Sequence, residues 1–201
     1  MNMMKKAREP TYSFVILTLV LIAINTILAR LSVILLPLAL PGGASGVSVI
    51  YFAVAFMILF TLWFGMYGAI AAYVGTLIGS GLLNPTIPPA VAVYWSIAGL
   101  LQVLIPLIAF RSLDADLSLE NRRDGTILIL FGVLINNGIG AIWGTYTLAL
   151  GGVIMPSDTI PVFSAWLLGN ILVTIIIVPI VLSRVSGRVR RSKLFVRGYW
   201  V

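Results

Sequence analysis

Six polar side chains stand inside long apolar runs of this chain: Asn25, Arg30, Gln102, Asn136, Asn137 and Asn170. Amides and a guanidinium recognise partners by hydrogen bonding, and none of them is an ordinary nucleophile or proton-transfer group. Arg30, the one charge among them, stays protonated and offers several donors, which suits an anionic group of a ligand. It has a second reading, in which its apolar stem lies in lipid and its head reaches the outer headgroups. Trp166 and Asn170 are four residues apart and share a helix face, so a ring and an amide are offered together. Arg30, Asn137, Trp143, Trp166 and Asn170 are therefore the candidate ligand-binding residues. With Tyr51, Tyr94, Trp95 and Tyr146 the two tryptophans form a set of rings able to line a pocket for a flat molecule. The alternative is an aromatic belt at a membrane interface, which needs no ligand.

Cysteine and histidine are both absent, which excludes disulfides, thiol nucleophiles, imidazole chemistry and the usual zinc or haem ligands. No residue is a candidate for catalysis or for holding a metal, no cofactor is expected, and the chain does not read as an enzyme.

The elements that carry these residues follow from composition. Of 201 residues, 60% are hydrophobic and 9% charged, against about 25% charged in a soluble domain. A membrane crossing takes about 20 apolar residues, and the apolar runs fall at 12–36, 47–63, 66–83, 91–110, 126–148 and 163–182. The expected fold is an all-α integral membrane protein, a bundle of about six transmembrane helices. Its parts are an N-terminal segment 1–11, the helical domain 12–182 and a basic tail 183–201. A basic stretch before an apolar one also fits a signal peptide, but the run after residue 12 is too long for that.

Lysine and arginine beside spans stay on the cytoplasmic side. Lys5, Lys6 and Arg8 precede the first span, Arg111, Arg122 and Arg123 lie between the fourth and fifth, and Arg184 to Arg197 follow the sixth. The alternate connections, 37–46, 84–90 and 149–162, hold no Lys or Arg and one charge, Asp158. Both termini are thus expected in the cytoplasm, and the net charge of +7 is a topology signal that requires no nucleic acid. Phe195, Tyr199 and Trp200 among the tail's cations suggest that it lies on the inner membrane surface.

Gly65, Gly68, Gly75 and Gly79 run through the third span, and Gly138, Gly140 and Gly144 through the fifth. These small residues let helices approach closely, and no strand or Lys-Ser/Thr makes them a phosphate loop. The proline-rich connection 83–89 is a turn or a short lid, and the loop 111–124 is a solvated connection or a handle for a soluble partner.

The run Trp166-Leu-Leu-Gly169-Asn170, continuing apolar to Pro179, resembles the closing motif of membrane-associated sensor domains of the first class (MASE-type). Ala98-Gly-Leu-Leu-Gln102 and the segment from Leu148 to Gly152 are similar to that family's middle and to its Leu-x-x-Gly-Gly turn. The family usually has Asp where Asn170 stands, so a charge-dependent role there is not implied. A looser resemblance joins the Gly/Ala-rich stretch from Phe64 to Gly79 to the third helix of substrate-binding S components of energy-coupling-factor (ECF) transporters. Those proteins present small residues four apart on helix one, whereas Ala23 and Ala29 are six apart here.

Both resemblances imply a ligand pocket near the outer face. The expectation is a multi-pass protein of the plasma membrane, sensor-like, binding a small ligand from outside, an anionic one if Arg30 takes part. No output domain follows the tail, so the effect is expected to pass to a separate cytoplasmic signalling protein. One alternative is the S component of a vitamin or micronutrient transporter, with ECF subunits as partners, and another is a membrane scaffold without ligand.

The variants Thr86→Cys and Ser157→Cys are expected to react with an impermeant maleimide from outside, and Ser118→Cys and Ser192→Cys only from inside. Labelling of Ser118→Cys from outside would sink the six-span arrangement.

Overall fold

The computed structural model describes residues 12–40 and 43–200. The segment 1–11, with Lys5, Lys6 and Arg8, lies outside the described residues. Every apolar run carries a helix. These are α1 (Tyr12–Leu35), α2 (Ala53–Phe64), α3 (Met66–Thr76), α4 (Pro89–Trp95), α5 (Ile97–Ser112), α6 (Arg122–Ile127), α7 (Asn136–Leu150) and α8 (Thr159–Val189). Helix α3 widens into π-helical turns over Leu77–Leu82, and α6 joins α7 through another such stretch, Leu128–Ile135. The stretches Tyr12–Leu35, Pro89–Ser112, Arg122–Leu150 and Pro156–Val189 are long and apolar enough to cross a membrane. Ala53–Phe64 and Met66–Leu82 are apolar but shorter.

One feature departs from the all-helical expectation. The connection after α1 forms an antiparallel hairpin of β1 (Pro37–Leu40) and β2 (Gly43–Ser48), and α2 begins only at Ala53. The apolar residues from Val47 are thus spent on a strand and a bend, tied to α1 by the Val49 amide donating to the Leu36 carbonyl at 2.9 Å.

Helix α2 is the axis of the molecule. It is apolar on all sides, the pattern of a helix surrounded by others, and nine of its residues are buried, from Ala53 to Trp63. Around it pack α3, α5 and α8, with α1 beside α3. Helix α1 presents Val15, Ile16, Leu19, Val20 and Ile27 outward, the apolar exposure that a lipid solvent accommodates and water does not. It touches α3 where Gly75 lies against Asn25 and Gly79 against Thr26 and Ala29. These two glycines do what the small-residue spacing predicts.

At its far end α2 turns sharply into α3 through Gly65, whose φ is +59°. A helix end leaves backbone carbonyls without partners, and the C-terminal segment supplies the missing groups. Helix α8 runs on to Val189, because Val185 and Val189 pack on the core and Ser186 accepts the Trp63 indole N–H at 3.0 Å. The chain then folds back over Gly65. The Val196 amide donates to the Trp63 carbonyl at 3.0 Å, and the Met66 amide donates to the Tyr199 carbonyl at 2.8 Å. Arg111 binds the carbonyls of Leu62 and Val196 at 2.9 and 2.8 Å and that of Gly198 at 3.2 Å. Trp200 meets the edge of Tyr67, which stacks on Phe14 of α1. The tail is a folded clasp, because its backbone completes hydrogen bonds that the bend at Gly65 leaves open.

Beside the clasp, Arg190 makes a paired contact to Asp116 at 2.8 and 2.9 Å. That guanidinium holds the Asp116 carboxyl well below the usual carboxylate range.

Replacing Arg111 with Met keeps the stem and strips three carbonyls of their donor. A buried group left unpaired costs about 1–3 kcal/mol, so Arg111→Met should lower the melting temperature in detergent and open the tail to trypsin at Arg197. A tail as protease-resistant as the parent's would show that Arg111 does not hold it.

Candidate functional site

Because α2 starts late, the hairpin end of the bundle has no helix along its axis, and a cavity lies there. The hairpin and the bend after it contribute Val47, Ser48 and Tyr51 to its wall. The surrounding helices contribute Val33, Thr76, Trp95, Ala98, Gly99, Gln102, Trp166 and Asn170. The space open to the centre of a water-sized sphere is about 20 Å³, enough for a water. None of the lining residues carries a formal charge.

The wall is built from rings and hydrogen-bonding groups on rigid helices. Trp95 and Trp166 meet edge to face, 5.7 Å between centroids, a favoured aromatic geometry. Gly144 of α7 supplies the slot for Trp166, since a Cβ at that position would run into the indole ring. Gly140, one turn earlier, does the same for Gln102. Gly169 lets the Val49 carbonyl of the bend press against α8. On the other side Ser80 donates to the Tyr51 hydroxyl at 3.2 Å, and Thr76 lies 3.4 Å from it.

Behind the wall runs a chain of buried amides. Gln102 donates to Asn137 at 2.9 Å, and Asn137 donates in turn to the Val133 carbonyl at 2.8 Å and to Thr174 at 3.0 Å. Thr174 donates to the Asn170 carbonyl at 2.8 Å. One polar system thus links α5, α7 and α8, as satisfied buried networks do when they fix a unique packing. Two groups of the wall are left over. The Trp95 indole N–H and the Asn170 side-chain nitrogen are buried and have no acceptor, in residues only 4% and 1% exposed.

Of the candidate residues, Trp166 and Asn170 line the cavity and Asn137 stands one hydrogen bond behind it. Trp143 lies elsewhere, on an open groove between α4 and α7 with Tyr94 and Tyr146, where its N–H donates to the Tyr94 carbonyl at 2.8 Å. Arg30 is partly buried on α1 and lines neither the cavity nor the groove. Its neighbours Ala29 and Ser32 face the protein, and Val33, one turn on, reaches the cavity. The cavity therefore does not bring a cation to Trp166 and Asn170. Asn25 and Asn136 are buried away from it, and neither amide has a partner.

Sequence reasoning passed over Ser48, Thr76 and Gly99. Gly99 lies opposite Thr76 and Met57, where a Cβ would approach to 3.1 and 2.9 Å. A lone glycine at position 99 between apolar neighbours was the available signal. No family model matches the chain, and neither a curated protein nor a solved structure does.

Gly144 and Gly138 lie on the same helix and make opposite predictions. Gly144→Ala drives a methyl into the Trp166 ring and should destabilise by about 1–3 kcal/mol. At Gly138 a Cβ meets nothing within 4 Å, so Gly138→Ala should be neutral or stabilise by up to about 1 kcal/mol. Equal melting temperatures for the two variants would show that the Trp166 slot does not matter to the fold.

Proposed function

We propose that this chain is a multi-pass membrane protein that binds a small molecule in the hairpin-end cavity and hands the effect to a separate protein. In this reading six spans cross the plasma membrane, the two short helices α2 and α3 among them, with both termini and the clasp in the cytoplasm. The asymmetry of Lys and Arg supports that orientation. The observation that carries the binding role is the pair of buried, unaccepted donors, Trp95 and Asn170, in residues that line the cavity. A buried polar group left without a partner costs free energy, and in the wall of a cavity such a group is open to a partner that enters there. The role is non-enzymatic, since the wall offers indoles, amides and hydroxyls and no acid, base or activated nucleophile. A sensor-like protein of the membrane-associated kind fits this arrangement, with a soluble signalling protein as its partner.

The test is native mass spectrometry of protein extracted gently into lipid nanodiscs, together with identification of co-purifying proteins. A small molecule bound at one per chain, and absent from Gly144→Leu, is the expected result. A signalling protein in the preparation supports the sensor role, whereas an ATPase pair would assign the cavity to a transport S component. Protein that carries no small molecule and retains no partner would overturn the reading in favour of a scaffold.

A further inference from the structure

We infer that the cavity takes an uncharged, one-ring molecule that presents a hydrogen-bond acceptor to Trp95 and Asn170. The inference rests on the binding role proposed above and names the class of ligand. Polarity is fixed at Trp95, because an indole N–H donates and never accepts; whatever satisfies it brings a lone pair. Asn170, also in the wall, adds a second donor, and its amide can turn to offer an acceptor instead. A ligand carbonyl is the simplest group that answers either.

Charge is excluded by what surrounds those donors. An anion entering the cavity would shed its hydration and find no guanidinium or ammonium group, since Arg30 is not in the wall. A cation would find no carboxylate. Either transfer is heavily penalised in a low-dielectric interior without a counter-charge. A neutral carbonyl loses far less on leaving water and recovers it at Trp95.

Shape is set by the rings and by the space. Trp95 and Trp166, with planes 76° apart, both line the site and offer it aromatic surface, to which a flat ring packs in offset or edge-on contact. The open space of about 20 Å³ holds a water rather than a ring, so binding requires part of the wall to yield. The helical walls are locked by glycine slots and by the Gln102–Asn137–Thr174 chain.

Benzamide, benzoate and benzylamine differ little in size and shape and carry no charge, a negative charge and a positive charge at pH 7. Equilibrium dialysis of each against the purified full chain in nanodiscs decides the class. Saturable binding of benzamide at one per chain, with benzoate and benzylamine at least tenfold weaker, is expected. Trp95→Phe keeps a ring and loses the N–H, and should weaken benzamide roughly threefold to tenfold, the worth of one net hydrogen bond. Asn170→Leu should do the same, and if it fails to fold, Trp95→Phe alone decides. A preference for benzoate or benzylamine overturns the uncharged class while leaving a ligand site standing. Benzamide binding that neither variant weakens overturns the assignment to Trp95 and Asn170. If no probe binds, the cavity holds water only and the inference fails, whereas the binding role itself stands or falls on the co-purified molecule.

Discussion

The central helix is too short for the place it occupies, and much of the rest of the structure answers that. Helix α2 has 12 residues, which at about 1.5 Å each reach about 18 Å, against a hydrocarbon thickness of about 30 Å. In the membrane placement proposed here a helix of that length cannot bring both of its ends to the headgroups, and unpaired backbone groups at hydrocarbon depth cost several kcal/mol. Irregular backbone is tolerated there only when protein encloses it. At one end the enclosure is the clasp, in which Arg111 and the amide of Val196 take the carbonyls of Leu62 and Trp63. At the other it is the hairpin and the bend at Val49, pressed against Gly169. Two features with no resemblance in sequence serve the same need.

The cavity lies beside the start of that short helix. Tyr51, two residues before α2, lines it together with Gln102, Trp166 and Asn170. Residues lining such a space can be polar because they face one another rather than lipid. The amides behind the wall are nearly satisfied, which keeps the wall in place. The two donors Trp95 and Asn170 in the wall have no partner, and in the reading proposed here they are the groups that a ligand answers.

The apolar runs announced every helix except α6, whose charged start at Arg122 precedes the run at 126, because long continuous hydrophobicity is a strong signal that needs no knowledge of partners. The hairpin was not legible: β1 and β2 have four and six residues, too few for a period to show. The clasp was hidden for a different reason. Its bonds join Arg111 to Val196, 85 residues away, and they use backbone groups, to which residue type is silent. Cations and aromatic rings in the tail do read as a membrane-surface segment, but the same residues also close a bend. In the site, Trp166 and Asn170 were legible from their four-residue spacing, and Asn137 from the rarity of an amide in an apolar run. The position of Arg30 outside the cavity was not, because a helix of low amphipathicity such as α1 leaves open which flank faces the protein.

The glycines sort the molecule into two kinds of contact that their spacing does not distinguish. Gly75 and Gly79 bring the backbones of α1 and α3 together, the packing that small residues permit between helices lacking a hydrophobic drive to associate. Gly140 and Gly144 lie at the same four-residue interval, yet they receive the side chains of Gln102 and Trp166. A glycine on one helix can thus be a socket for a side chain that another helix places in the cavity wall. Since α7 supplies both sockets together with Asn137, it positions the polar and the aromatic halves of the cavity wall while lining none of it. A helix that never touches the cavity sets its shape, which is why the residues most decisive for such a site lie a layer behind it.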